Sequence, residues 1–110
     1  MVELLIAVAV VTVLTITSIR ANDRYRGRER LPMQWSFAGK VNWTAPRRIA
    51  LAFTPTLAAI VLGATAIALW VSGAPRPGQE GMGAPVVLLI GAAFLIVHML
   101  HLRLIHRTVD

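Results

Sequence analysis

The sequence contains no cysteine and only five acidic residues. The absence of cysteine excludes disulfide bonds, thiolate metal sites and cysteine nucleophiles, although it is compatible with either redox compartment. No acidic residue falls inside a long apolar run, no serine stands with histidine and aspartate at a catalytic spacing, and no glycine-rich phosphate loop precedes a helix. The sequence therefore predicts a protein that is not an enzyme and has no soluble small-molecule substrate.

Apolar residues, by contrast, make up 56% of the 110 residues, above the roughly 45–50% that is typical of soluble domains. They form three uncharged runs, at residues 4–19, 49–71 and 82–102. A bilayer about 30 Å thick requires apolar helices of roughly 20 residues. The sequence thus predicts an all-α integral membrane protein, a single membrane domain over residues 1–110 with three transmembrane helices at about residues 2–20, 47–71 and 83–104.

The ends of the second span carry recognisable signals. Thr44 is expected to cap this helix, with Pro46 in the first turn, where a missing N–H costs nothing. The residues expected to end the helix are Gly73, Pro75, Pro77 and Gly78.

The distribution of charge predicts the orientation of the three helices. Residues 20–48 hold eight basic residues against two acidic ones, so this segment alone carries a net charge equal to the +6 of the whole chain. Because basic segments tend to remain in the cytoplasm, this segment and the C-terminus are expected inside. The N-terminus and residues 72–81 are expected outside.

Four arginines alternate with other residues in the first part of the basic segment: Arg24, Arg26, Arg28 and Arg30. One interpretation is that they bind anionic lipid or an acidic partner surface, together with Arg47 and Arg48, at about 1 kcal/mol per basic residue near an anionic leaflet. The other is that they only fix the topology. Nucleic acid is not an expected partner, because no folded module presents a basic face with an aromatic stacking platform.

Apolar and polar residues alternate over residues 31–37, which is the period of a strand. An extended segment at the membrane interface would bury its apolar face among headgroups or against the helix ends. Aromatic side chains suit that position, and Trp35, Phe37 and Trp43 are the expected anchors to lipid or a partner. Gly39 provides a turn before the second helix. The sequence thus predicts an interfacial cytoplasmic loop between the first two helices.

The same loop reads Pro32-Met33-Gln34-Trp35 and, further on, Gly39-Lys40-Val41-Asn42-Trp43. It resembles the Pro-x-His-aromatic and Gly-x-x-Asp/Asn signature of a bacterial membrane family of unknown function, which includes the amino-terminal part of SdpI-type immunity proteins. Those proteins protect a cell against its own sporulation-delaying toxin. Gln34 stands where histidine is frequent, and the family's members are usually longer. The resemblance covers roughly residues 4–70 and implies a helical protein of the bacterial inner membrane, with no particular reaction.

Three histidines, His98, His101 and His106, lie in or just beyond the inner part of the third span. His98 is the one candidate for ligating a pigment or a haem, but a haem held from two sides requires a histidine on a second helix, and the other spans have none. Two histidines on one helix without a nearby carboxylate or thiolate make a poor metal site. No cofactor or metal is therefore expected. A hydrogen bond between helices and a place at the interface are the alternatives for His98.

Pro55 interrupts the second span and frees a carbonyl near Leu51, which Thr54 and Thr56 are expected to satisfy in part. Small residues form a stripe on this helix and a patch on the third, and such residues permit close contact between helices. They serve either packing among the three spans or docking onto a larger membrane assembly. The stripe consists of Ala52, Thr56, Ala59, Gly63 and Ala66, and the patch consists of Gly91 and Ala92.

Two functional hypotheses follow. The first is a non-catalytic accessory or structural subunit that packs against a larger bioenergetic membrane complex, photosynthetic or respiratory. The second is a toxin-immunity or signalling protein of the SdpI type. Membrane lipids are expected partners under both hypotheses.

Overall fold

The computed structural model of this chain describes residues 2–72, 81 and 83–109. It contains helix α1 at Val2–Arg24, strands β1 at Arg30–Trp35 and β2 at Val41–Pro46, and helices α2 at Arg47–Val71 and α3 at Gly83–Val109. All three helices are long and apolar enough to cross a membrane, so the prediction of three spans is confirmed in these terms. The residues expected to end the second span lie at positions 73–80, outside the described part of the chain.

The boundaries of the first and third helices differ from the prediction. Helix α1 continues past residue 20 to Arg24, and α3 continues past residue 104 to Val109. Both extensions contain charged residues. The predicted spans followed the uncharged runs and therefore ended before these residues. The two helices therefore project beyond their apolar runs at one end of the bundle, and the strands pack beside that end.

The segment between α1 and α2 forms an antiparallel hairpin in which Leu31 pairs with Ala45. Its turn is closed by the backbone N–H of Ser36, which donates to the Lys40 carbonyl over 2.7 Å, and Gly39 adopts a φ of 86° there. The sequence predicted the extended conformation of β1 but not β2, because β2 contains residues that are typical of turns and helix caps.

The start of α2 corrects the prediction of a Thr44 cap. Thr44 lies in β2, and Pro46 occupies the N-cap position without a capping side chain. The chain passes directly from strand to helix, and the backbone N–H of Arg47 donates instead to the Glu29 carbonyl over 2.8 Å. A neighbouring segment thus satisfies a donor that a capping residue would otherwise bind.

The buried side chains form two clusters along the bundle. One joins α1, the hairpin, α2 and α3, and contains Ala21, Tyr25, Leu31, Ala45, Ala50, Leu51 and Ile105. The other joins the three helices farther from the hairpin, and contains Ala7, Val10, Leu14, Ala58, Leu62 and Val87. The first cluster fixes the hairpin against one end of the bundle. We refer to this end of the bundle as the hairpin end.

Only part of the predicted small-residue stripe takes part in this packing. Gly91 on α3 is buried and Gly63 on α2 is half-buried, whereas Ala52, Thr56 and Ala59 are exposed. Helix α2 turns a partly different face inward, one that includes Pro55, Ala58, Leu62 and, from the predicted stripe, Ala66. The exposed Ala52, Thr56 and Ala59 line a groove on the outside of the bundle.

Candidate functional site at the hairpin end

Arg47, at the start of α2, holds the connection between α1 and β1. Its Nε donates to Oδ1 of Asn22 over 2.8 Å, and its Nη1 donates to the carbonyls of Arg26 and Arg28 at 2.7 Å each. A planar guanidinium presents its donors in a fixed fork, so one side chain can bind several oxygens at once. Arg47 therefore acts as an internal clamp, although the sequence placed it among the lipid-binding or partner-binding residues.

Two arginines of the alternating run contact the end of α3. Nη2 of Arg28 donates to the Val109 carbonyl over 2.7 Å, and Nη2 of Arg24 lies 2.9 Å from Nδ1 of His106. A cation beside the last carbonyls of a helix interacts favourably with the helix dipole. These contacts tie the basic segment to α3, and Arg24 and Arg28 remain exposed.

The other two arginines bind within their own neighbourhood. Arg30 donates from Nε to Oγ1 of Thr44 over 2.8 Å and from Nη2 to the Thr44 carbonyl over 2.7 Å, which joins the two strands. Arg26 makes an ion pair with Asp23 at 3.5 Å, and both side chains are largely exposed. An exposed pair of this kind contributes little to stability. The run thus combines structural contacts with an exposed cationic surface.

Trp35 fastens β1 to α3. Its Nε1 donates to Oγ1 of Thr108 over 3.0 Å, and its ring lies edge-on to His101 with 5.9 Å between ring centroids. Nε2 of His101 in turn donates to the Pro32 carbonyl over 3.0 Å, since a carbonyl can only accept. Trp35 was expected to be a surface anchor, and the structure places it between the hairpin and α3.

Phe37 and Trp43 are the aromatic residues that the hairpin turns outward. Phe37 is fully exposed in the turn, and Trp43 is 51% exposed on β2. Nε1 of Trp43 donates to Oε1 of Gln34 across the strands over 2.9 Å, which fixes the indole ring. Lys40 lies in the same turn and is exposed. The outer surface of the hairpin therefore presents two aromatic rings and a cation, and we call Phe37, Lys40 and Trp43 the hairpin surface.

His98 makes a hydrogen bond between helices, one of the alternatives that the sequence left open. Its Nε2 lies 2.8 Å from Oγ1 of Thr17, whose proton is already donated to backbone carbonyls of α1 at 2.9 and 3.0 Å. The threonine oxygen can accept from Nε2 of His98 while its own proton goes to one of these carbonyls. Nδ1 of the buried His98 has no hydrogen-bond partner among the described residues.

Ser18 completes this polar cluster, and its role was not predicted from the sequence. Its Oγ donates over 2.8 Å to the Leu51 carbonyl, the acceptor that Pro55 leaves without an intrahelical N–H. Thr54 and Thr56 were expected to satisfy this carbonyl in part. The available signal was a hydroxyl in the part of the first span that precedes the basic segment, since Pro55 lies in the part of the second span that follows this segment.

Comparisons with known proteins return no similar protein. No family model, no curated protein and no solved structure matches this chain. Within residues 2–72, 81 and 83–109, no group of three or more histidine or acidic residues is placed to hold a metal ion.

Proposed function

We propose that this protein is a non-catalytic subunit of a larger bioenergetic membrane complex, photosynthetic or respiratory, and that the hairpin surface docks onto that complex. The observation that carries the proposal is the exposure of Phe37 and Trp43 on a hairpin whose opposite side is fastened to α3. Large aromatic residues supply much of the binding energy at protein interfaces. An aromatic pair that the protein leaves uncovered is consistent with such a contact.

The attachment of the hairpin favours binding because it lowers the entropy lost on association. Trp35 and Pro32 contact α3 on the inner side, while Gln34 orients the ring of Trp43 on the outer side. Ordering a loop or a flexible side chain at an interface costs free energy, and a surface that is ordered in advance avoids that cost. The hairpin surface is therefore suited to a partner of fixed shape.

The charge of the same region supports an orientation in the bacterial inner membrane. The hairpin and the basic segment lie together, and the positive-inside rule places them and the C-terminus in the cytoplasm, with the N-terminus outside. A partner would then contact the hairpin from the cytoplasmic side or at the membrane interface. The arginines around the hairpin would attract anionic headgroups or an acidic rim on the partner.

Co-purification with matched variants tests the docking proposal. The chain is tagged, extracted from the membranes of its own host in a mild detergent, and analysed for a partner at fixed stoichiometry. Replacing Phe37 and Trp43 with serine should release the partner. Replacing Trp70, which is 79% exposed near the other end of α2, should leave the complex intact. An isolated monomer in the unmodified preparation would contradict the proposal.

A toxin-immunity or signalling role is the second candidate. The observation in its favour is that Gln34 and Trp43, both within the segment that resembles the SdpI-type signature, bind each other across the hairpin. If the resemblance reflects common ancestry, Gln34 and Trp43 are two signature positions that one hydrogen bond joins across the hairpin. Expression of the chain in cells challenged with such a toxin distinguishes the candidates, because an accessory subunit gives no protection.

A further inference from the structure

A groove of about 480 Å³ lies between α1 and α2 on the outside of the bundle. This volume is within the range of roughly 300–1,000 Å³ that is usual for ligand sites in proteins. Three small exposed residues of α2, Ala52, Thr56 and Ala59, line this side of the bundle and leave room for the groove. Its lining includes Asn22 of α1 and Arg48, Ala52 and Ala59 of α2.

The length of the groove corresponds to one leaflet of a bilayer. From Arg48 to Ala59 the groove extends for eleven residues of α2, which is about 16 Å at 1.5 Å per residue. Half of the hydrocarbon thickness is about 15 Å. Ala59 lies at the middle of α2, which spans Arg47–Val71. The groove therefore extends from the hairpin end to the centre of the bundle and stops there.

Polar donors occur at one end of this apolar groove. Arg48 is exposed and, among the described residues, its guanidinium makes no hydrogen bond or ion pair, in contrast to the fully engaged Arg47 beside it. Asn22 accepts from Arg47 through Oδ1, so its amide nitrogen is left as a donor, with no partner in the described part of the chain. A guanidinium and an amide N–H suit the oxygens of a phosphate group.

We propose that this groove binds one anionic phospholipid. The phosphate lies against Arg48 and Asn22, and one acyl chain lies along Ala52 and Ala59 as far as the bilayer centre. The lipid belongs to the leaflet at the hairpin end, where the basic segment already favours anionic headgroups. This site is separate from the hairpin surface and does not depend on the partner proposed for it.

A transmembrane helix of a second protein fits the groove less well. Such a helix crosses both leaflets and needs small residues along its whole contact. The groove covers one leaflet only, and it ends in cationic and amide donors that a lipid-exposed apolar helix does not use. An acyl chain with an anionic headgroup matches both the length and the polarity.

Native mass spectrometry of the purified, delipidated protein tests this proposal. Phosphatidylglycerol and phosphatidylcholine with identical acyl chains are titrated separately. The unmodified protein should bind one phosphatidylglycerol more tightly than phosphatidylcholine. Arg48→Gln should weaken phosphatidylglycerol binding about fivefold, which corresponds to about 1 kcal/mol, and should remove the preference between the two lipids. Arg107→Gln removes the same charge from an exposed position outside the groove and should change neither quantity.

A second pair of variants tests the apolar part of the groove. Ala52→Leu with Ala59→Leu fills the groove and should reduce binding of both lipids, whereas Ala64→Leu with Ala68→Leu adds the same volume at other exposed positions of α2 and should not. Unchanged binding by Arg48→Gln or equal binding of the two lipids by the unmodified protein would overturn the proposal. The proposal would also be overturned if the unmodified protein formed a dimer that Ala52→Leu with Ala59→Leu abolished and the control pair did not. A second chain would then occupy the groove.

Discussion

A methyl group placed on Gly91 of α3 would lie 2.8 Å from Cγ2 of Val10 on α1. Carbon atoms in contact are normally about 3.5–4.0 Å apart, so the two helices approach each other at this point as closely as a glycine permits. Val10 is part of the buried cluster remote from the hairpin. The absence of a side chain at Gly91 therefore determines how α3 packs onto α1.

Gly91→Ala should destabilise the bundle by about 1–3 kcal/mol, the usual cost of forcing an extra group into a packed interior. Gly63→Ala is the matched control, because a Cβ at Gly63 meets nothing within 4 Å. Unfolding in detergent with increasing sodium dodecyl sulfate, followed by circular dichroism, measures both. Equal stability of the two variants would mean that α1 and α3 do not pack as described.

Ser18→Ala should remove about 1 kcal/mol of stability, which is within the range measured for hydrogen bonds between transmembrane helices. The cause is the loss of the donor that satisfies the Leu51 carbonyl next to Pro55. Pro55→Ala restores an intrahelical N–H to that carbonyl. In the Pro55→Ala background, Ser18→Ala should therefore lower the free energy of unfolding by clearly less. An unchanged loss of stability would show that Ser18 acts through some other contact.

Arg47→Lys should loosen residues 24–30 without changing the net charge. A lysine cannot reproduce the fork that binds the carbonyls of Arg26 and Arg28. Loss of one such bond, worth about 1.5 kcal/mol, should raise the rate of tryptic cleavage in this segment about tenfold. Arg48→Lys, at the next position, should leave the rate unchanged, and similar rates for the two variants would contradict the clamp.

The orientation is open to a direct test with reporter fusions. A reporter at the C-terminus should be cytoplasmic, and one inserted near Gly78 should be external, since the basic segment and the C-terminus fall on the same side. The opposite pattern would refute the argument from charge. Both fusions are needed, because a single reporter does not establish that residues 72–81 cross to the other side.

The three helices and the extended conformation of β1 were predictable because they depend on local patterns, namely long apolar runs and alternation along residues 31–37. The different roles of Arg47 and Arg48 were not predictable from the sequence. The two are adjacent and chemically identical, and only the direction in which each side chain leaves α2 makes Arg47 a clamp and Arg48 an exposed cation. Trp35 and Trp43 differ in the same way, since pairing of β1 with β2 directs one ring to α3 and the other outward.

Photocrosslinking from position 37 tests whether the hairpin surface docks onto a partner protein. A photoreactive phenylalanine analogue replaces Phe37 in the host cell, and the same analogue at Trp70 serves as the control near the other end of α2. We expect one adduct of defined mass from position 37 that is absent from position 70. Lipid adducts alone from position 37 would contradict it, because the hairpin surface would then contact the membrane and no partner.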